Sequence, residues 1–190
     1  MQKTLLIMAI VFVSLVCTAC VNKFAVSELN NNAKNLLAEG KVDAAISRLE
    51  SSIYLDDSVF ETHYNLAVAY MQANKYDEAL NSLAKVNELN PDFADAYHSI
   101  AVINEEEAYK IISGEEDDDK SDSENAIQPK DLSSSDKAKI CDYFSNAIEN
   151  YNKYLAKKEN ADDKDKVNAK IDDLNTELRK YSSQNIEKAE

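Results

Sequence analysis

Alanines recur at a fixed step of 34 residues, and no other feature of the chain restricts its fold as tightly. Ala33 aligns with Ala67 and Ala101, and Ala45 aligns with Ala79. Around them Leu36 aligns with Tyr70, Leu49 with Leu83, Leu55 with Leu89 and Ile100 with Leu66. Such a period marks stacked helical hairpins, each too small to bury its apolar face alone. Where the two helices of a hairpin cross most closely only a small side chain fits, and overpacking there typically costs about 1–3 kcal/mol. This reading pairs Ala33 with Ala45, Ala67 with Ala79 and, beyond an interruption, Ala101 with Ala147; Tyr151 and Tyr154 then fall in register with Leu83 and Val86. Gly40 and Asn74 lie between the paired helices and tolerate the left-handed backbone that ends a helix. Asp43 and Asp77, three residues further on, suit N-caps.

Composition agrees with an all-α fold. The 190 residues include two glycines and two prolines, too few for the turns of a sheet protein. The same scarcity excludes loops that cradle phosphate, which need clustered glycines. A formal charge of −14 excludes a nucleic-acid partner. It also opposes adsorption to anionic lipid, so any membrane attachment has to be covalent or hydrophobic.

Residues 60–93, FETHYNLAVAYMQANKYDEALNSLAKVNELNPDF, resemble one tetratricopeptide repeat through Leu66, Ala67, Tyr70, Tyr76, Ala79, Leu83, Leu89 and Pro91. The preceding unit is more degenerate, with Asn32 in place of Leu66 and Asp57 in place of Pro91. The resemblance implies a solenoid of about three repeats over 26–158, divided as 26–59, 60–93 and 94–158. The third is interrupted by an acidic insert, Ser113 to Asp136, with nine acidic residues against two basic ones. That segment has too few apolar residues to offset the cost of ordering it, so a disordered loop is expected. It lacks the glycine and terminal glutamate of an EF-hand, which argues against a calcium site at Asp117, Asp118, Asp119 and Asp122. Val167, Ile171, Leu174, Leu178 and Tyr181 then form a stripe on one face of a helix within 159–190. This helix either caps the last repeat or serves as a coiled-coil arm for a second copy.

Residues 1–19 read as an export signal: Lys3 supplies a positive charge, and Thr4 to Val16 form an apolar run shorter than a spanning helix requires. The following Cys17-Thr18-Ala19-Cys20 resembles the lipobox of bacterial lipoproteins, with Cys17 where leucine is usual. The resemblance implies cleavage before Cys20, lipidation of Cys20, a short linker over 20–25 and a body outside the cytoplasm, anchored to a bacterial membrane. An uncleaved anchor using Leu5 to Val21 is the alternative and gives the same orientation. With Cys20 lipidated, Cys141 has no disulfide partner.

By the same resemblance, the first helices of successive repeats line a groove for a peptide or helix of another protein. The corresponding positions are Asn30, Lys34 and Leu37, then Glu61, Tyr64, Val68, Met71 and Gln72, then Asp95, His98, Val102 and Glu105. Modules of this family that capture a C-terminal carboxylate use Lys and Arg here. Only Lys34 is available, so a basic or amphipathic segment is the expected ligand. His63 and His98 make at best a weak metal site, and no catalytic constellation is present. The expectation is a lipid-anchored, non-enzymatic scaffold without cofactor or metal. The alternative is a structural envelope protein that self-associates through its C-terminal helix.

Overall fold

The computed structural model describes residues 22–114, 132–158 and 162–186, with side chains as far as Ser182. The expected signal peptide, Cys20 and the greater part of the acidic insert lie outside the described residues. Every regular element among those described is an α-helix: α1 over 22–38, α2 Val42–Leu55, α3 Phe60–Gln72, α4 Tyr76–Leu89, α5 Ala94–Ser113, α6 Ser134–Lys157 and α7 Lys164–Ile186. They group into two compact units that divide between Pro91 and Asp92.

In the N-terminal unit the two hairpin turns are copies of one another. The Lys41 N–H donates to Leu36 O at 2.8 Å and the Gly40 N–H to Leu37 O at 3.0 Å. One period later Lys75 N–H donates to Tyr70 O at 2.9 Å and Asn74 N–H to Met71 O at 3.1 Å. This pair of bonds closes a helix only if the penultimate residue is left-handed, and Gly40 (φ 74°) and Asn74 (φ 56°) both are. The next helix starts at once, with Lys41 O and Lys75 O accepting the N–H groups of Ala45 and Ala79. Lys41 and Lys75 are therefore the N-caps, and neither uses its side chain. The N-cap role expected of Asp43 and Asp77 is corrected: both lie inside the first helical turn, where a carboxylate faces the positive end of the helix dipole.

Ala33, Ala45, Ala67 and Ala79 are fully buried, as the close-crossing argument requires. Ala33 and Ala45 share a core with Ile46, Leu49, Leu66 and Ala69, closed around by Leu36, Leu37, Ile53 and Tyr70. Residues 22–25, expected to be linker, are instead helical and belong to α1.

The C-terminal unit packs longer helices. Ala101 and Ala147 are fully buried in one core with Ala108, Ile140, Phe144, Tyr151 and Tyr154. The α7 stripe enters that core through Val167, Leu174 and Tyr181, with Ile171 and Leu178 beside it. The helices also reach into the expected insert from both sides. Ser113 closes α5 before the left-handed Gly114, and Ser133 caps α6 by accepting the Asp136 N–H at 3.1 Å.

An alanine Cβ at Gly40 would meet nothing within 4 Å, so substitution there isolates the backbone term. Gly40→Ala is expected to lower unfolding free energy by about 1–2 kcal/mol, and Gly40→Asn by clearly less, because asparagine visits the left-handed region more readily. Urea titrations of both variants check this; equal losses would show that backbone handedness is not the constraint.

Candidate functional site

On α3 the residues Glu61, Tyr64, Val68, Met71 and Gln72 fall within about 100° of the helix circumference at 3.6 residues per turn. The opposite arc carries Thr62, His63, Leu66, Ala67 and Ala69, all buried. The split follows from sequence periodicity: one arc is spent in the core, and the other is left half-exposed at Tyr64, Val68 and Met71 and open at Glu61 and Gln72. This face is mixed apolar and polar, with tyrosine and methionine side chains that adapt to irregular apolar surfaces.

The expected α1 residues behave differently from one another. Lys34 is exposed, whereas Asn30 is half-buried and committed inside the unit. Its amide nitrogen lies 2.9 Å from Val26 O, 3.0 Å from Ser52 Oγ and 2.8 Å from Thr62 Oγ1, and its oxygen accepts from Asn65 Nδ2 at 2.8 Å. Asn30 thus ties α1 to α2 and α3, and its amide is not a free donor for a ligand. The buried members, Ser52 and Thr62, were missed in the sequence. One signal pointed to them: Ser52 stands where the 34-residue step places Val86, a polar residue at an apolar seam position. His63 is also internal, its Nε2 donating to the Asp57 carbonyl at 2.9 Å and pinning the α2–α3 connection.

The expected α5 residues lie in the C-terminal unit and engage its own helices. Asp95 pairs with Lys158 at 3.1 Å. The His98 ring meets the rings of Tyr151 and Tyr154 edge-on at 5.5 and 5.0 Å. Val102 packs against the core. Glu105 is buried, accepting from the Tyr151 hydroxyl at 3.0 Å and from Lys170 Nζ at 2.7 Å, so one carboxylate joins α5, α6 and α7. That role was hidden because Lys170 lies 65 residues from Glu105. Of the expected positions, the α3 set keeps one arc outward and Lys34 is exposed on α1, while Asn30, His98, Val102 and Glu105 engage neighbours within their own units and Asp95 pairs with Lys158. Among the described residues no three His, Cys, Asp or Glu side chains converge to hold a metal. No described helix is long and apolar enough to cross a membrane.

Residues 36–102, from the end of α1 into α5, match the tetratricopeptide repeat family model. The tetratricopeptide repeat and J domain-containing co-chaperone DNJ1 of Cryptococcus neoformans var. grubii is 31% identical over 77 residues, which are 40% of this chain and 15% of that protein. The chain thus spans under a sixth of that relative's length. Among solved structures, the TPR2B domain of yeast Sti1, in complex with pHsp70, aligns with a TM-score of 0.55 at 16% identity, covering 85% of this chain and 98% of that one. The first TPR of Spaghetti (RPAP3), bound to the HSP90 peptide SRMEEVD, aligns at 0.52 and 16% identity, covering 84% and 91%. The Sgt2 TPR domain from Aspergillus fumigatus aligns at 0.53 and 14% identity, covering 84% and 81%. The fold is that of tetratricopeptide repeats, and the chain carries such repeats across 36–102.

The Glu105 junction makes a pH-dependent prediction. Burial first, and then the adjacent Glu105 charge, push the Tyr151 hydroxyl above its ordinary value of 10.0. The Lys170 ammonium is also raised, chiefly by its hydrogen bond to Glu105. Both groups hold their protons more tightly folded than unfolded, so their contribution is fully present below pH 10 and is lost as pH climbs above it. Glu105→Ala is expected to cost about 1–3 kcal/mol at neutral pH by leaving the Tyr151 hydroxyl without its acceptor. It should also flatten the alkaline loss of stability. Chemical denaturation across pH checks both, and a variant with unchanged stability and slope would contradict the junction.

Proposed function

We propose that this chain is a non-catalytic scaffold for other proteins, held by a lipidated Cys20 to a bacterial membrane with its helical body outside the cytoplasm. The observation that carries the binding role is the α3 face: Tyr64, Val68 and Met71 stay half-exposed although the opposite arc of the helix is buried. The anchor rests on the apolar run before Thr18-Ala19-Cys20.

Proteins of similar fold take peptides, among them an HSP90 peptide ending in Glu-Glu-Val-Asp. The face on this chain suits a different charge. Of the expected positions on α1 and α3, Lys34 alone is basic and Glu61 is acidic, within a chain of net charge −14. An acidic tail would be repelled, and a basic or amphipathic segment would be steered in. The self-association alternative loses its main support, because Val167, Leu174 and Tyr181 of the α7 stripe are buried within the C-terminal unit.

Tyr64→Ala with Met71→Glu is expected to abolish crosslinked recovery of the partner from native membranes while leaving helical content, read by circular dichroism, unchanged. Recovery equal to wild type from the folded double variant would overturn the binding face.

A further inference from the structure

In the N-terminal unit the exposed large apolar side chains described lie on the first described turn of α1 and at the end of α2. They are Phe24, 74% exposed on the first described turn of α1, and Tyr54 and Leu55, 91% and 36% exposed on the last turn of α2. The two turns lie at the same end of the hairpin. Val26 O of α1 is 3.5 Å from Ser52 Oγ of α2, and the Lys23 charge is felt by the Asp56 carboxyl just beyond α2, after the dominant hydrogen bonds from Ser58. Tyr54 and Leu55 also line, with Leu29, Ser47, Glu50 and Ser51, a shallow depression of about 560 Å³. A tyrosine left almost wholly in water beside two further apolar groups is unexplained by packing within the unit.

Chain length says what covers this end. Cys20 precedes Asn22, the first described residue of α1, by two positions, and two residues span at most about 7 Å. Acyl chains on Cys20 would therefore enter the bilayer directly beside Phe24. We propose that this end of the N-terminal unit is seated in the membrane interface, with Phe24, Tyr54 and Leu55 at the boundary between headgroups and acyl chains. The inference rests on the lipid-anchor reading above.

Tyrosine and phenylalanine suit that depth, since an aromatic body sits in the apolar layer while a hydroxyl stays hydrated. Charge makes the choice of lipid specific. Glu28, Glu50, Asp56 and Asp57 lie within four residues of Phe24, Tyr54 or Leu55 along the chain, with Lys23 as the basic residue within that distance. Apolar insertion into a zwitterionic surface fits, and attraction to an anionic one does not. The acyl chains do the anchoring; the seat fixes how the body is presented, so that the binding face keeps a constant relation to the bilayer.

The chain contains no tryptophan, so one introduced indole is a clean reporter. The full lipidated chain carrying Tyr54→Trp is reconstituted into phosphatidylcholine vesicles, floated, and read for emission and for quenching by nitroxides on the upper acyl chain. A second variant, Glu39→Trp, places the reporter just past the C-terminal end of α1, about 22 Å from Phe24 at 1.5 Å per residue. The expected result is blue-shifted, quenched emission from Tyr54→Trp and water-like, unquenched emission from Glu39→Trp. Vesicles that float the protein while Tyr54→Trp stays water-like would overturn the seat and leave the anchor standing. A blue shift untouched by lipid-borne quencher would mean that protein covers the patch, a second copy or the chain's own apolar run, and would overturn it too. Failure to float would remove the anchor reading and the seat with it.

Discussion

The close crossing of paired helices at alanine is the constraint on which the rest of this structure depends. Ala33 and Ala45, Ala67 and Ala79, and Ala101 and Ala147 are all without solvent exposure. A larger side chain at any of them would separate its hairpin, and the leucines and tyrosines along the seams would lose their packing together. In the N-terminal unit the paired helices reverse within a few residues, and the left-handed backbone at Gly40 and Asn74 makes the reversal while satisfying the last carbonyls.

The two units build on that constraint with different chemistry. The N-terminal unit keeps short helices and ties them through a polar junction, in which Asn30 reaches Ser52 and Thr62 and accepts from Asn65. The C-terminal unit extends its hairpin, adds α7 and gathers three helices at one buried carboxylate, Glu105. Both devices place a polar group where an apolar residue would fit. In each, the polar group is paired, as a buried polar group must be to avoid a desolvation penalty of about 1–3 kcal/mol. Such junctions fix which helix faces are turned inward, and the α3 face is what remains outward.

The legibility of these features in the sequence depended on how far each signal reaches along the chain. The crossing alanines and the left-handed turn residues were readable because each is a local choice of residue repeated at a fixed step. The position of the N-caps was not, since Asp43 and Asp77 have the right chemistry and only the turn geometry places the caps two residues earlier, at Lys41 and Lys75. The helical state of residues 22–25 was also missed, because the repeat pattern says nothing of the residues that precede it. The expected groove positions were assigned by register alone. Register gives the angle of a side chain about its helix but not what the neighbouring helix presents, so the contacts of His98 and Asp95 with Tyr151, Tyr154 and Lys158 of α6 and its end were not foreseen.

What emerges is a helical-repeat body whose packing uses nearly every apolar residue of α3 except those on one arc. The central claim is that this arc, and not the surface at large, receives the partner. A photoreactive side chain placed at Val68 on that arc, and separately at Asn81 on the exposed side of α4, tests it in native membranes. The account predicts a discrete crosslinked species from position 68 and none from position 81. Equal crosslinking from both, or crosslinking from position 81 alone, would contradict it.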